Sequence, residues 1–285
     1  MTSKSVLRIG AAALPFLLWA GAVSFAAPSA WGQEKPTLEK NKQELPVAPD
    51  QPKAAPPVDA EEEASYKAYL DAPPSDLAKK AQLGENFLQK YPQSRYRPIV
   101  YSSLTMTYLQ IGDVPKLTET GVKALELNPN DVQVLGILGQ TIPRALSKDP
   151  AIATKQLEQA EQYARRAIEI TPTLPKPENL TDEAFADAKS QVLTMAHSGL
   201  GLVFIFRQKY SEAAAEFQQS LRLTGNPDPV NYYLLGLVDE KTLHYDDAAA
   251  VFAKCAAIPG KTQYMCQAGL ERARKLALTQ LSAPR

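Results

Sequence analysis

Along most of the chain, apolar residues recur at steps of three and four, the spacing that lines one face of a helix. Tyr101, Leu104 and Tyr108 show it in "YSSLTMTYLQIGDV". Ala160, Ala164, Ala167 and Ile168 show it in "QAEQYARRAIEITP". Gly112 sits where a turn is needed between two such runs, and Pro129 and Pro172 follow the second run of their pairs. Proline stops a helix, so the pattern predicts paired helices with a break after each pair.

The pairs repeat. "KYSEAAAEFQQSL" runs from Lys209 to Leu221, and "HYDDAAAVFAKCA" runs from His244 to Ala256. Upstream, Leu200 matches Leu235 and Gly201 matches Gly236. Tyr210 matches Tyr245, Ala213 matches Ala248, and Phe217 matches Phe252, every time at an offset of 35. A period of this length marks stacked supersecondary units. Small residues in the first helix (Gly139, Gly201, Gly236) let the second approach, with Ala160, Ala213 and Ala248 expected to fill the matching site. Phe217 and Phe252 are expected to pack between neighbours. One pair cannot bury its own apolar faces, so the pairs must stack.

The Leu-Gly pairs, the aromatic residues Tyr108 and Phe204, the Ala and Phe of the second helix, and the closing "ALELNP" resemble the tetratricopeptide repeat family over about residues 98–262. The second unit departs from it: Pro143 interrupts its first helix and the following connection is long. The resemblance implies an all-α fold, a right-handed α-solenoid of helix pairs with a helical N-terminal flank and a C-terminal capping helix.

The boundaries follow. Residues 61–97 read as a degenerate helix pair, 98–131 as the first repeat and 132–180 as the second with insertions. Residues 181–228 form the third, with an extended first helix opened by Thr181, and 229–262 the fourth. Residues 263–285 are a capping helix and tail. Ahead of the body, Lys4 and Arg8 precede the apolar run "IGAAALPFLLWAGAVSFAA", and small residues follow. Residues 1–32 therefore read as a signal peptide, with an uncleaved membrane anchor as the alternative. Residues 33–60, rich in proline and charge, read as a disordered linker. The expected location is the periplasm or cell envelope.

Composition narrows the chemistry. The 31 basic and 31 acidic side chains balance, which gives no basic stripe for nucleic acid. No Gly-rich phosphate loop and no Gly-x-Ser-x-Gly elbow is present. His197 takes a helix-packing position and His244 falls in a turn, neither with ligand neighbours at metal spacing. Neither a cofactor nor a metal is expected, and no residue reads as catalytic. The acidic runs at 61–63 and 246–247 sit at helix starts, where the macrodipole and solvent account for them. Cys255 and Cys266, eleven apart in an exported chain, read as a disulfide that staples the cap; two buried free thiols are the alternative.

In the resembled family the first helix of each pair lines a concave groove that binds partners. The matching positions are Ile99, Ser102, Met106 and Leu109 in the first repeat, with Gln133 and Gln140 in the second. The third contributes Met195, Ser198, Leu202 and Ile205; the fourth contributes Val230, Tyr233, Leu237 and Glu240. The Lys, Arg and Asn with which chaperone-binding members clamp a terminal carboxylate are missing from these positions. The expectation is a non-enzymatic scaffold that holds a segment of another protein by apolar contacts. The alternative is a self-associating or membrane-tethered envelope component, with the groove filled by the 171–185 insert, the N-terminal helices or a second copy.

Overall fold

The structure, a computed structural model, describes residues 59–282. The expected signal peptide and the linker up to residue 58 lie outside the described residues. A first pair comprises α1 (Ala60–Leu70) and α2 (Leu77–Lys90), followed by α3 (Arg97–Ile111) with α4 (Val114–Leu127). Next come α5 (Val132–Thr141) with α6 (Pro150–Ile170), and α7 (Asp182–Phe206) with α8 (Tyr210–Arg222). Then α9 (Pro229–Lys241) pairs with α10 (Tyr245–Ala256), and α11 (Gln263–Ser282) closes the stack. Each helix packs on the one before and the one after; one apolar core runs from α1 to α9, and a second, smaller one around Phe252 joins α9, α10 and α11. That is a solenoid.

Local chemistry marks the helix starts. Asp59, Asp76, Asp113, Asp131, Asp149 and Asp228 each accept a hydrogen bond from a backbone N–H of the turn they open. Thr181 does the same for α7, accepting from Ala184 at 3.1 Å. Such caps satisfy donors that have no partner within the helix. The three tight turns inside pairs share one solution. Asp113 N donates to Tyr108 O, Lys209 N to Phe204 O and His244 N to Asp239 O, at 3.1, 2.9 and 2.8 Å. Each carries a left-handed residue one place earlier: Gly112 (φ 83°), Gln208 (φ 59°) and Leu243 (φ 64°). This is the six-to-one closure of a helix end. Only Gly112 meets its backbone requirement without cost.

The small residues act differently from the sequence expectation. A Cβ on Gly201 would stand 2.7 Å from the Phe217 ring, and one on Gly236 would stand 2.7 Å from the Phe252 ring. The glycines make room for the ring of the second helix. In the second repeat, which has no such ring, Gly139 faces Ala164 rather than Ala160. Phe252 is held from both sides, because Gly269 of α11 meets it as Gly236 does. The capping helix is thus built like the first helix of a further pair. Pro143 lies in a 3-10 turn, Ile142–Arg144, that ends α5 early.

The acidic run at 61–63 is not merely solvated. Glu61 pairs with Lys90, Glu62 accepts from Ser94 Oγ at 2.5 Å, and Glu63 pairs with Arg95 at 2.6 Å and accepts from Tyr96 Oη. With Tyr66 stacked on Tyr96, centroids 3.9 Å apart, these contacts dock α1 onto the turn between α2 and α3.

Cys255 and Cys266 are bonded, their Cα atoms 5.7 Å apart, and join α10 to α11. Their separation of eleven residues closes a short loop. Constraining the unfolded chain this way contributes about 3 kcal/mol on a chain-entropy account. Cys255→Ala/Cys266→Ala is expected to lower the unfolding free energy from urea denaturation by that amount, with no further change on adding reductant.

Candidate functional site

The first helices of the pairs are neighbours in the stack. α5 lies against α7 along its length and touches α3, while a hydrogen bond from Ser198 Oγ to Asn231 Oδ1, 2.8 Å, links α7 to α9. The crossing of α5 and α7 is set by Gly199, whose missing side chain admits the Gly139 carbonyl of α5. Where helices approach this closely, the residues beside the glycines lose their access to solvent.

That closeness sorts the expected groove residues. Ile99, Ser102, Met106 and Leu109 on α3 are half-buried, as are Gln133 on α5 and Met195 and Ile205 on α7. Gln140, Ser198 and Leu202 are instead buried, with Ser198 fully enclosed. Ser198 is correctly placed on the first helix but serves packing. It heads a buried chain in which Asn231 Nδ2 donates to Ser220 Oγ and Ser220 Oγ to Thr194 O, both at 2.9 Å. Buried polar groups hold their position only when paired in this way.

On α9, Val230, Tyr233, Leu237 and Glu240 are half-buried, and the cap takes part of this wall. Glu240 accepts charge-assisted bonds from the Arg272 guanidinium of α11, the Nη2 bond at 2.8 Å. Tyr233 and Leu237 pack with Leu270 of α11 around Phe252. The 3-10 turn that opens the insert after α6, Thr171–Thr173, packs on α6 and α7. α1 packs on α2.

One wall residue escapes the repeat pattern altogether. Arg144, from the 3-10 turn that ends α5, points its Nη2 at Ser198 Oγ, 3.4 Å away. Burial pulls its guanidinium below the ordinary arginine value, and the Asp228 carboxylate opposes the shift. Nη1 finds no hydrogen-bond partner among the described residues. No signal in the repeat frame could place it, because it belongs to an insertion. The two histidines act locally: His197 Nδ1 meets Glu216 Oε2 at 2.6 Å, and exposed His244 meets Thr242 Oγ1 at 2.9 Å. Among the described residues no group of three His, Cys, Asp or Glu side chains is placed to hold a metal ion.

The repeated contacts decide the architecture. Gly201 on Phe217 recurs as Gly236 on Phe252, and the same turn closure recurs in the three pairs that have a tight turn. The fold is an all-α solenoid of stacked helix pairs. No family model matches the chain, and no curated protein matches it significantly. Among solved structures it is similar to TTC0263, a thermophilic tetratricopeptide protein of Thermus thermophilus. Identity there is 19%, over 76% of this chain and 99% of that one, with a TM-score of 0.46. It is also similar to MamA (41-end) from Desulfovibrio magneticus RS-1, at 13% identity over 76% of this chain and 98% of that one, TM-score 0.47. The cap engages α9, while Ile99, Met106 and Leu109 of α3 and Met195 and Ile205 of α7 stay half-buried.

Proposed function

We propose that the protein is an exported, non-enzymatic interaction module whose concave face holds a segment of another protein. The observation that carries this reading is the apolar row left half-buried after the pairs have stacked: Ile99, Met106 and Leu109 on α3, and Met195 and Ile205 on α7. Apolar surface kept at a concave wall favours a partner. The two methionines add adaptability to its shape. The leader and linker of the sequence support a module held away from its site of export.

Ile205 is the position to probe, since buried Leu202 would report folding instead. A photo-crosslinking phenylalanine analogue at Ile205 is expected to give adducts with a discrete protein. The same analogue at Tyr264, 77% exposed on α11, serves as the control and gives none. Met106→Glu, which sets a charge in the apolar wall, is expected to weaken capture by about 2 kcal/mol, roughly thirtyfold. Equal adducts from both positions, or capture unaffected by Met106→Glu in a folded variant, overturns the reading.

A further inference from the structure

A cleft of about 670 Å³ opens between α8 and α10, with α9 as its floor. Its origin lies in one departure from the repeat. Tyr108 in α3 and Phe204 in α7 stand five residues before the end of the same turn closure, and both rings are buried. Tyr108 Oη bonds Glu85 of α2, and the Phe204 ring lies under Arg165 of α6, so each ring plugs the gap toward the preceding pair. In the last pair that position is Asp239. A carboxylate is too small to fill the space of a ring, and the gap stays open.

Asp239 lines this cleft and is 6% exposed, yet no described residue gives its carboxylate a hydrogen bond or an ion pair. Its carboxylate oxygens are not among the enclosed polar atoms, so they reach the cleft and can meet an incoming donor. The groups facing it vary along the cleft. Asp247 of α10 and His244 just before it lie at its end, and Arg222 of α8 and Lys254 of α10 lie at the other end beyond Leu235. Burial first, then the Asp247 charge, raise the Asp239 pKa to about 6, and His244 opposes them. The acidic end is thus built to gain from an incoming cation.

We propose that this cleft is a second binding site, in which Asp239 receives a lysine or arginine side chain presented by a partner protein. The walls of Ala214, Leu235 and Val251 suit the aliphatic stem of such a side chain, and the charge at its tip meets Asp239. Arg222 and Lys254 at the far end orient the partner by repelling a second cation there. The site is independent of the concave face, so either proposal can fail alone.

The test is backbone amide NMR of the full chain above pH 7, with N-acetyl-arginine amide as the probe. Its neutral isostere, N-acetyl-citrulline amide, is the control, and putrescine is a third arm. Shifts are expected along the facing sides of α8, α9 and α10 with the arginine probe and not with citrulline. Asp239→Asn is expected to weaken that response about tenfold or more, the loss of one charge-assisted contact. Asp239→Phe restores the ring of the other pairs and is expected to abolish it by closing the cleft. Equal response to citrulline, an unchanged response in either variant, or none from the arginine probe overturns the proposal. A response to putrescine alone does so too, by making this a site for free polyamines.

Discussion

Gly199→Ala is expected to destabilise the protein by about 3 kcal/mol or more, although alanine is the better helix former. The added Cβ would stand 2.3 Å from Gly139 O, 2.6 Å from its carbonyl carbon and 2.9 Å from Gln140 N. All three are backbone atoms of α5, so no side chain can turn aside. α5 and α7 must separate, and the core residues seated along them (Leu135, Leu138, Ala196 and Val203) lose contact together. Helix propensity returns only about 1 kcal/mol, so the clash wins. Gly225→Ala is the control: its Cβ meets nothing within 4 Å, and the change is expected to stay within about 0.5 kcal/mol. Urea denaturation of the two variants checks this. Equal midpoints would remove the glycine crossing as the organising contact of the concave wall.

Phe252→Ala is expected to cost about 3–5 kcal/mol and to loosen one end of the molecule. The ring is fully buried, lies between Gly236 and Gly269, and sits 5.9 Å from both the Tyr233 ring and the Arg272 guanidinium. Its loss leaves a cavity that two glycines cannot fill. Contacts in a solenoid are with nearest neighbours, so the damage stays local in the native state. Hydrogen exchange is expected to rise through α9, α10 and α11 while α3 to α6 keep their protection. A uniform rise along the chain would mean that the pairs do not stack as separable units. With the disulfide intact, α11 stays tethered to α10. Combining Phe252→Ala with Cys255→Ala/Cys266→Ala is then expected to release it.

The two substitutions differ in how visible their sites were. Phe252 was legible, because its match to Phe217 at an offset of 35 stands in plain letters. Its partner Gly269 was not, since α11 carries that glycine at an offset of 33 from Gly236, outside the repeat register. Gly199 looked like an ordinary helix interior residue two places before a repeat glycine. Asp239 was in view when "LGLVFIF" is set beside "LGLVDEK", where it faces Phe204. Knowing that a ring plugs the gap behind it, and that an acid there opens a cleft, required the packing. Ser198 shows the reverse error. Its register was right, but whether a wall residue is open depends on how near the next helix comes, and Asn231 comes within a hydrogen bond. That the expected residues lie on first helices was therefore readable, and their exposure was not.

A linear reading reaches the local part of this protein: helix breaks at prolines, the turn at Gly112, the cap at Thr181, the 35-residue repeat, and with them an all-α stack of pairs. Those features are set by residues within a few turns of one another or by plain recurrence. Packing between helices settled the rest. It left some first-helix residues half-open, brought Arg144 into the wall, let the acids at 61–63 dock the first helix, and gave the last pair an acid-floored cleft. Each of those depends on a distance between helices far apart in the chain. Such distances follow from side-chain volume across an interface, which no single stretch of sequence contains.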